Sequence, residues 1–193
     1  MLQKIIITLF FLNFSYLYCG NYNIKPLELT EKIHYVNSII FQKDIIYWDI
    51  LINGTISAET LYGAYNGNGN LSLAQISKDG FGYIKSRITK EDKELLALLG
   101  YEKEIKFEEL KKDNVLALAY CALYYKYKLQ EIPPKNLEEC AKVWKKYYNT
   151  CEGKGKPKDF IVKFNSHGLK PLINYYCLNF SKLRKINIYK RTV

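Results

Sequence analysis

The segment from Phe107 to Leu129 limits the fold more than any other part of the chain. Val115, Leu116, Leu118, Ala119, Ala122 and Leu123 place apolar side chains on most of the circumference of a helix, not on a single stripe. A helix of that kind belongs in the middle of a domain, with other elements packed around it. Pro133-Pro134 ends the connection that follows, and Asn136 with Glu139 predicts a capped helix running to about Tyr148.

The segments on either side also read as helices. After Pro26 a helix begins near Thr30, with Ile33, Val36, Ile40, Ile45, Ile46 and Trp48 spaced for one face, and Asn53-Gly54 is expected to break it. Ser57 is expected to cap a short helical piece carrying Glu59, and Phe81 to Ile88 reads as another short helix. Thr89 and Asp92 form a capping-box pattern ahead of Leu95, Leu96, Leu98 and Leu99, with Gly100 as the stop. A loop at Gly153, Gly155 and Pro157 precedes a short helix from Lys158 to Phe164 that ends near Gly168. The tail after Pro171 is aromatic, then basic, and suits one last helix. The expectation is a mainly α domain of about seven helices with little or no β.

Residues 1 to about 20 have the order of a secretory signal. Lys4 is the only charge, Ile5 to Leu12 is apolar, and Leu17-Tyr18-Cys19-Gly20 follows. Cleavage there leaves 21–193 as one domain, exported to the periplasm or the cell envelope; bulky Tyr18 argues against lipidation at Cys19. The 29 Lys+Arg against 19 Asp+Glu favour anionic polymers or surfaces as partners. Nucleic acid is excluded as a partner class because no basic run accompanies a groove-reading helix. Cys121, Cys140, Cys151 and Cys177 permit two disulfides in an oxidising compartment, or four free thiols. No CxxC pair occurs and His34 and His167 lie far apart, so neither a metal nor another cofactor is expected. Nothing in the chain calls for a second subunit, and a monomer is expected.

The stretch Glu59 to Ile76 carries the candidate chemistry. A carboxylate ends an apolar run, Gly67 and Gly69 alternate with asparagines to make a turn, and an apolar segment returns to Gln75-Ile76. Glu59-Thr60, Gln75-Ile76, the helix entered at Asp113-Asn114, and Tyr147-Tyr148-Asn149-Thr150 occur in this order. That order resembles the lytic transglycosylase and lysozyme-like family over roughly residues 45–165. The chain departs from the family pattern at Ser72, where glycine is usual, and at Cys151-Glu152, which delay the glycine after the Tyr-Asn pair to Gly153.

The resemblance implies a lysozyme-like fold and cleavage of peptidoglycan glycan strands at the MurNAc-GlcNAc β-1,4 bond. Glu59 takes the place of the single catalytic acid/base. Gln75, Tyr148, Asn149, Tyr62 and Ser72 take the places of residues that shape the substrate cleft, with Tyr62 and Tyr65 offering rings for sugar faces. Such a reaction needs a carboxyl group that first protonates the leaving oxygen and then accepts a proton, which an apolar surround favours. The neighbouring acids Asp49 and Asp79 sit in no motif that supplies a second carboxylate. In the family's single-acid reaction the muramic sugar's own C6 hydroxyl attacks and leaves a 1,6-anhydro end. The alternatives are a hydrolytic lysozyme and an inactive wall-binding envelope protein of the same fold.

Overall fold

A computed structural model describes residues 22, 24–65 and 72–179. Cys19 and the rest of the leader, the Gly67-Gly69 turn, and the basic tail beyond residue 179 lie outside the described residues. Helix α1 is Pro26–Ile40, with proline in its first turn, where no backbone N–H is needed. Its buried face of Leu29, Ile33, Val36 and Ile40 follows the helical spacing. The chain then leaves the helix at Phe41, turns through left-handed Asp44 (φ 58°) and enters α2, Ile45–Thr60. Thus the interruption comes at 41–44, and Asn53-Gly54 lies inside an unbroken helix.

Two physical reasons correct that expectation. The polar residues of α2 bond back to the preceding turn: Asn53 to the Asp49 carbonyl at 2.7 Å, Thr55 to Leu51 at 2.9 Å, Ser57 to Asn53 at 2.8 Å. Helix α2 therefore carries polar groups through a buried environment without leaving them unsatisfied. Ser57 is accordingly a mid-helix residue and no cap. Gly54 serves close packing, because a Cβ there would stand 2.1 Å from Cζ of the buried Phe160 ring. Every residue from Trp48 to Ala58 is buried.

Helices α3 (Lys78–Lys85) and α4 (Lys90–Leu98) follow. The expected capping box is present at Thr89 and Asp92, with both reciprocal hydrogen bonds formed. Asp92 also accepts from Lys126 at 2.9 Å and from Tyr127, which ties α4 to α5. The segment expected as one helix from Phe107 is divided: a 3₁₀ turn, Phe107–Lys111, comes first, and α5 is Asn114–Leu129. Asp113 makes the division by accepting from the backbone of Val115 and Leu116 at 2.9 and 3.1 Å. Leu116 to Leu123 are buried without exception, as an apolar circumference requires.

Helix α6 (Leu137–Val143) is capped by Asn136, as expected, and widens into a π turn, Trp144–Asn149. Helix α7 (Pro157–Lys163) passes through a second π turn, Phe164–Gly168, into α8, Leu169–Asn179. Gly168 therefore does not end the segment; it lets the π turn lie against α2, since a Cβ would stand 2.6 Å from Ser57 Oγ. Helices α1, α2 and α5 form the centre, with α8 against α1, α6 and α7 against α2, and α3 against α5. Stacked rings lock the joints, Phe41 on Trp48 at 3.9 Å and Phe81 on Tyr120 at 5.0 Å. Among the described residues there is no strand, no helix long and apolar enough to cross a membrane, and no metal-ligand cluster. Cys121, Cys140, Cys151 and Cys177 are all free thiols, the first two buried and the last two exposed, so the two disulfides that the even count permits are not formed.

Candidate functional site

Glu59 occupies the last turn of α2, immediately before the chain reverses. Leu61, Tyr62 and Gly63 follow in left-handed conformation (φ 50°, 60° and 87°), and the Tyr62 amide bonds back to the Ile56 carbonyl at 3.2 Å. That pattern closes a helix and satisfies its last carbonyls. Thr60 fixes the direction of the reversal. Its hydroxyl reaches the Leu73 carbonyl at 3.1 Å and accepts from the Gly63 amide at 3.2 Å. The end of α2 is thereby clamped to the returning segment Ser72 to Ile76, all of it buried.

The wall facing Glu59 comes from the π turn after α6. Trp144 Nε1 donates to Glu59 Oε1 at 2.8 Å. One turn further, Tyr148 donates its hydroxyl to the Ala74 carbonyl at 2.5 Å, joining this wall to the returning segment. The Tyr148 ring stacks on Tyr125 of α5 at 5.4 Å and meets Tyr124 edge-on at 5.4 Å. Trp144 is held from behind by Phe160 at 5.7 Å, and bare Gly155 admits it, since a Cβ there would stand 2.6 Å from the indole. Single π turns occur often where a helix must re-aim side chains at a site.

Electrostatics around the half-buried Glu59 are set chiefly by lost water. Burial raises its carboxyl above the ordinary carboxylate range; the indole hydrogen bond and the nearby Lys163 ammonium oppose that and reduce the rise. Lys163 is fixed by its own hydrogen bond to the Ala58 carbonyl at 2.6 Å. Burial also drives the Tyr148 and Tyr125 phenols well above their usual range, and the Glu59 charge pushes both the same way. The buried Cys121 thiol, hydrogen-bonded to Tyr148, is pushed up to about 12 and stays protonated at neutral pH. The result is one ionisable carboxyl held by an indole N–H, within electrostatic reach of phenols that stay neutral. The arrangement suits a group that keeps its proton to higher pH than an ordinary carboxyl does and can give it up.

The other expected residues fall into two sets. Tyr148 stands with Glu59, and so do Trp144 and Lys163, which sequence reading did not single out as site residues. The one sequence signal for Trp144 is its position four residues before Tyr148, on the same helical face. Gln75 is buried, left-handed (φ 52°), and its amide donates to the Ser72 carbonyl at 2.8 Å and to Tyr22 at 3.1 Å. It staples the returning segment. Ser72 takes φ 113°, a conformation in which glycine is usual, and its buried hydroxyl has no hydrogen-bond partner among the described residues.

Tyr62 corrects a further expectation. Its ring is 5 % exposed and its hydroxyl lies between Asn53 Oδ1 and Thr30 Oγ1, so it fills the core and offers no face to a sugar. Tyr65, at 46 %, keeps an exposed ring at the end of the same reversal. Asn149 organises the next loop: Lys145 donates to its Oδ1 at 2.9 Å, and Gly153 packs so tightly on it that a Cβ would stand 2.1 Å from the Asn149 carbonyl oxygen. No family model matches this chain, and no curated protein or solved structure is significantly similar to it.

Proposed function

We propose that the protein is a lysozyme-like enzyme of the bacterial wall that cleaves peptidoglycan glycan strands, with Glu59 as its single acid/base. The observation that carries this reading is the pairing of Glu59 Oε1 with the Trp144 indole at 2.8 Å, on the π turn that also carries Tyr148. An indole only donates, so Oε1 serves as the acceptor and the acid proton rides on Oε2. That oxygen protonates the glycosidic oxygen as the bond to the anomeric carbon breaks. The resulting carboxylate then takes the proton from the muramic C6 hydroxyl, whose oxygen closes onto the anomeric carbon as a 1,6-anhydro end. The carboxyl group returns protonated, and no water is consumed.

A second carboxylate is not available from the same helix. Asp49 lies ten residues before Glu59, about 15 Å along the α2 axis at 1.5 Å per residue. Its carboxylate is buried and engaged by His34 at 2.7 Å, Asn37 at 2.8 Å and Tyr176 at 2.5 Å. Two-carboxylate glycosidases hold the pair within about 5 to 9.5 Å. Asp49 is therefore no partner for Glu59, and the single-acid route to an anhydro product is the one proposed.

Purified protein is expected to clear insoluble peptidoglycan and release anhydro-ended muropeptides, and Glu59→Gln to abolish this. Reducing ends in place of anhydro ends identify a hydrolytic lysozyme. Equal clearance by both proteins overturns the role of Glu59. A wall-binding protein without activity is the reading of a different class. It is favoured by one observation, that Gln75, Asn149 and the Tyr148 hydroxyl are all hydrogen-bonded within the protein itself. A protein that sediments with the wall and releases no muropeptides supports it.

A further inference from the structure

Lys145 follows Trp144 on the π turn Trp144–Asn149, and its side chain is drawn in where those of nearby lysines are not. Lys142, Lys146, Lys154, Lys156 and Lys158 are exposed, whereas Lys145 is half-buried. An ammonium has three protons to donate, and here the end of the turn and the loop after it take all three. Nζ donates to Asn149 Oδ1 at 2.9 Å, to the Thr150 carbonyl at 2.7 Å and to the Gly153 carbonyl at 2.7 Å. Among the described residues Lys145 makes no ion pair with a carboxylate. Neutral oxygens hold the charge, at the carboxyl end of a helical turn where a cation is favoured.

The loop needs such a hold. Thr150 takes φ 57° and ψ 177°, a conformation all but reserved for glycine, and threonine is β-branched. A residue stays there only where its surroundings over-determine it, and the bond from Lys145 to the Thr150 carbonyl contributes to that. Two glycines then let the loop close onto the turn. A Cβ at Gly153 would stand 2.1 Å from the Asn149 carbonyl oxygen. One at Gly155 would stand 2.6 Å from Cη2 of the Trp144 indole and 3.2 Å from Asn149 Oδ1. Loop backbone therefore lies directly against the ring whose N–H bonds to Glu59.

We infer that Lys145 is a positioning residue for the Trp144 indole: its ammonium, caged by three oxygens, fastens residues 150–155 onto the ring and so fixes the indole N–H on Glu59. Lys145 acts through Trp144 and not on the reacting bond. For its effect on wall cleavage the inference rests on the reading of Glu59 as the acid. For its effect on the indole it stands on the geometry of the turn and loop alone.

The test is made on the full chain. The sequence has two tryptophans, so Trp144 gives one of two indole N–H signals by NMR, identified by its loss in Trp144→Phe. In the parent this signal is expected to move with pH as Glu59 ionises, and to stop moving in Glu59→Gln. That control separates Glu59 from the other ionisable groups that face it, Lys163, Tyr148, Tyr125 and Cys121. Lys145→Ala is expected to lose most of the movement, because the indole is no longer held on the carboxyl. Added n-propylammonium, the part of the side chain removed, is expected to restore it; tetramethylammonium, of equal charge but without an N–H, is not. A Lys145→Ala protein whose indole signal and pH response match the parent's overturns the inference, and so does equal restoration by both cations. Reductive methylation of the parent, read by peptide mapping, decides the matter if Lys145→Ala does not fold. Lys145 is expected to react well after the exposed Lys142, Lys146 and Lys154, and equal rates overturn the cage. Wall cleavage by Lys145→Ala is expected to fall toward that of Trp144→Phe, by up to about 10-fold. Should the indole behave as expected in a parent that cleaves no wall, the catalytic reading falls and the positioning of the indole stands. Should Glu59→Gln abolish cleavage while Lys145→Ala leaves both indole and cleavage unchanged, the positioning role alone falls.

Discussion

Gly54→Ala tests how the site is supported. Gly54 lies in the interior of α2, where alanine is favoured over glycine by about 1 kcal/mol on helix propensity alone. An isolated helix would therefore be stabilised. In the folded protein the new Cβ would stand 2.1, 2.6 and 2.9 Å from three carbons of the Phe160 ring, which is fully buried. Carbon atoms rest at about 3.5–4.0 Å, so the ring must retreat by on the order of 1.4 Å. Behind it stands Trp144, itself 2 % exposed and bonded to Glu59. Overpacking of this kind costs about 1–3 kcal/mol, and a clash this deep belongs in the upper part of that range. Offset by propensity, the net destabilisation is about 1–2 kcal/mol, or a Tm lowered by about 2–8 °C for a chain of this size. Thermal unfolding followed by circular dichroism measures it. In a double-mutant cycle, Phe160→Leu is expected to be less harmful beside Gly54→Ala than alone, with a coupling of about 1 kcal/mol or more. A Gly54→Ala protein as stable as the parent, or more so, would refute the reasoning, because propensity would then outweigh packing.

Three further outcomes follow from the same geometry. Glu59 holds its proton more tightly folded than unfolded, so stability falls as pH rises from the ordinary carboxylate range to the raised folded value. Glu59→Gln should therefore match the parent in Tm at about pH 4, below the unfolded pKa, and exceed it at neutral pH; a variant less stable at neutral pH argues against a desolvated carboxyl. Trp144→Phe keeps the apolar bulk and removes the N–H that favours the ionised carboxylate. The Glu59 carboxyl should rise further, moving the basic limb of the pH–rate profile upward, with activity lowered about 10-fold or more from loss of a bond to a charged group; an unmoved limb would mean the indole does not tune the acid. Alkylation of the native chain followed by peptide mapping should label Cys151 and Cys177 quickly and Cys121 and Cys140 only after unfolding, since the latter two are buried and burial raises both thiols.

Features that rest on neighbouring residues were legible in the amino-acid order. The capping box at Thr89 and Asp92 and the Asn136 cap close hydrogen bonds over three residues, so their partners are visible side by side. The apolar circumference of α5 announced a buried helix, and the Glu59-Thr60 step placed a lone carboxyl at a chain reversal. Those signals were enough for a mainly helical fold, whereas Glu59 and Tyr148 were singled out by the motif order of the family resemblance. They could not show Gly54 as a packing position, because the ring that demands it comes from Phe160, on a helix far along the chain.

Tertiary structure alone decided the rest. Trp144 reaches Glu59 across 85 residues, and the Tyr62 hydroxyl turns inward to Asn53 and Thr30. Composition treats a cleft tyrosine and a core tyrosine alike; only the surroundings separate them. The same holds for the four thiols, whose number allowed pairing while the packing of α5 and α6 buried two of them unpaired. What a residue can do with its nearest neighbours is written in the local order, whereas desolvation depends on every element that excludes water. The raised Glu59 carboxyl is a property of that second kind.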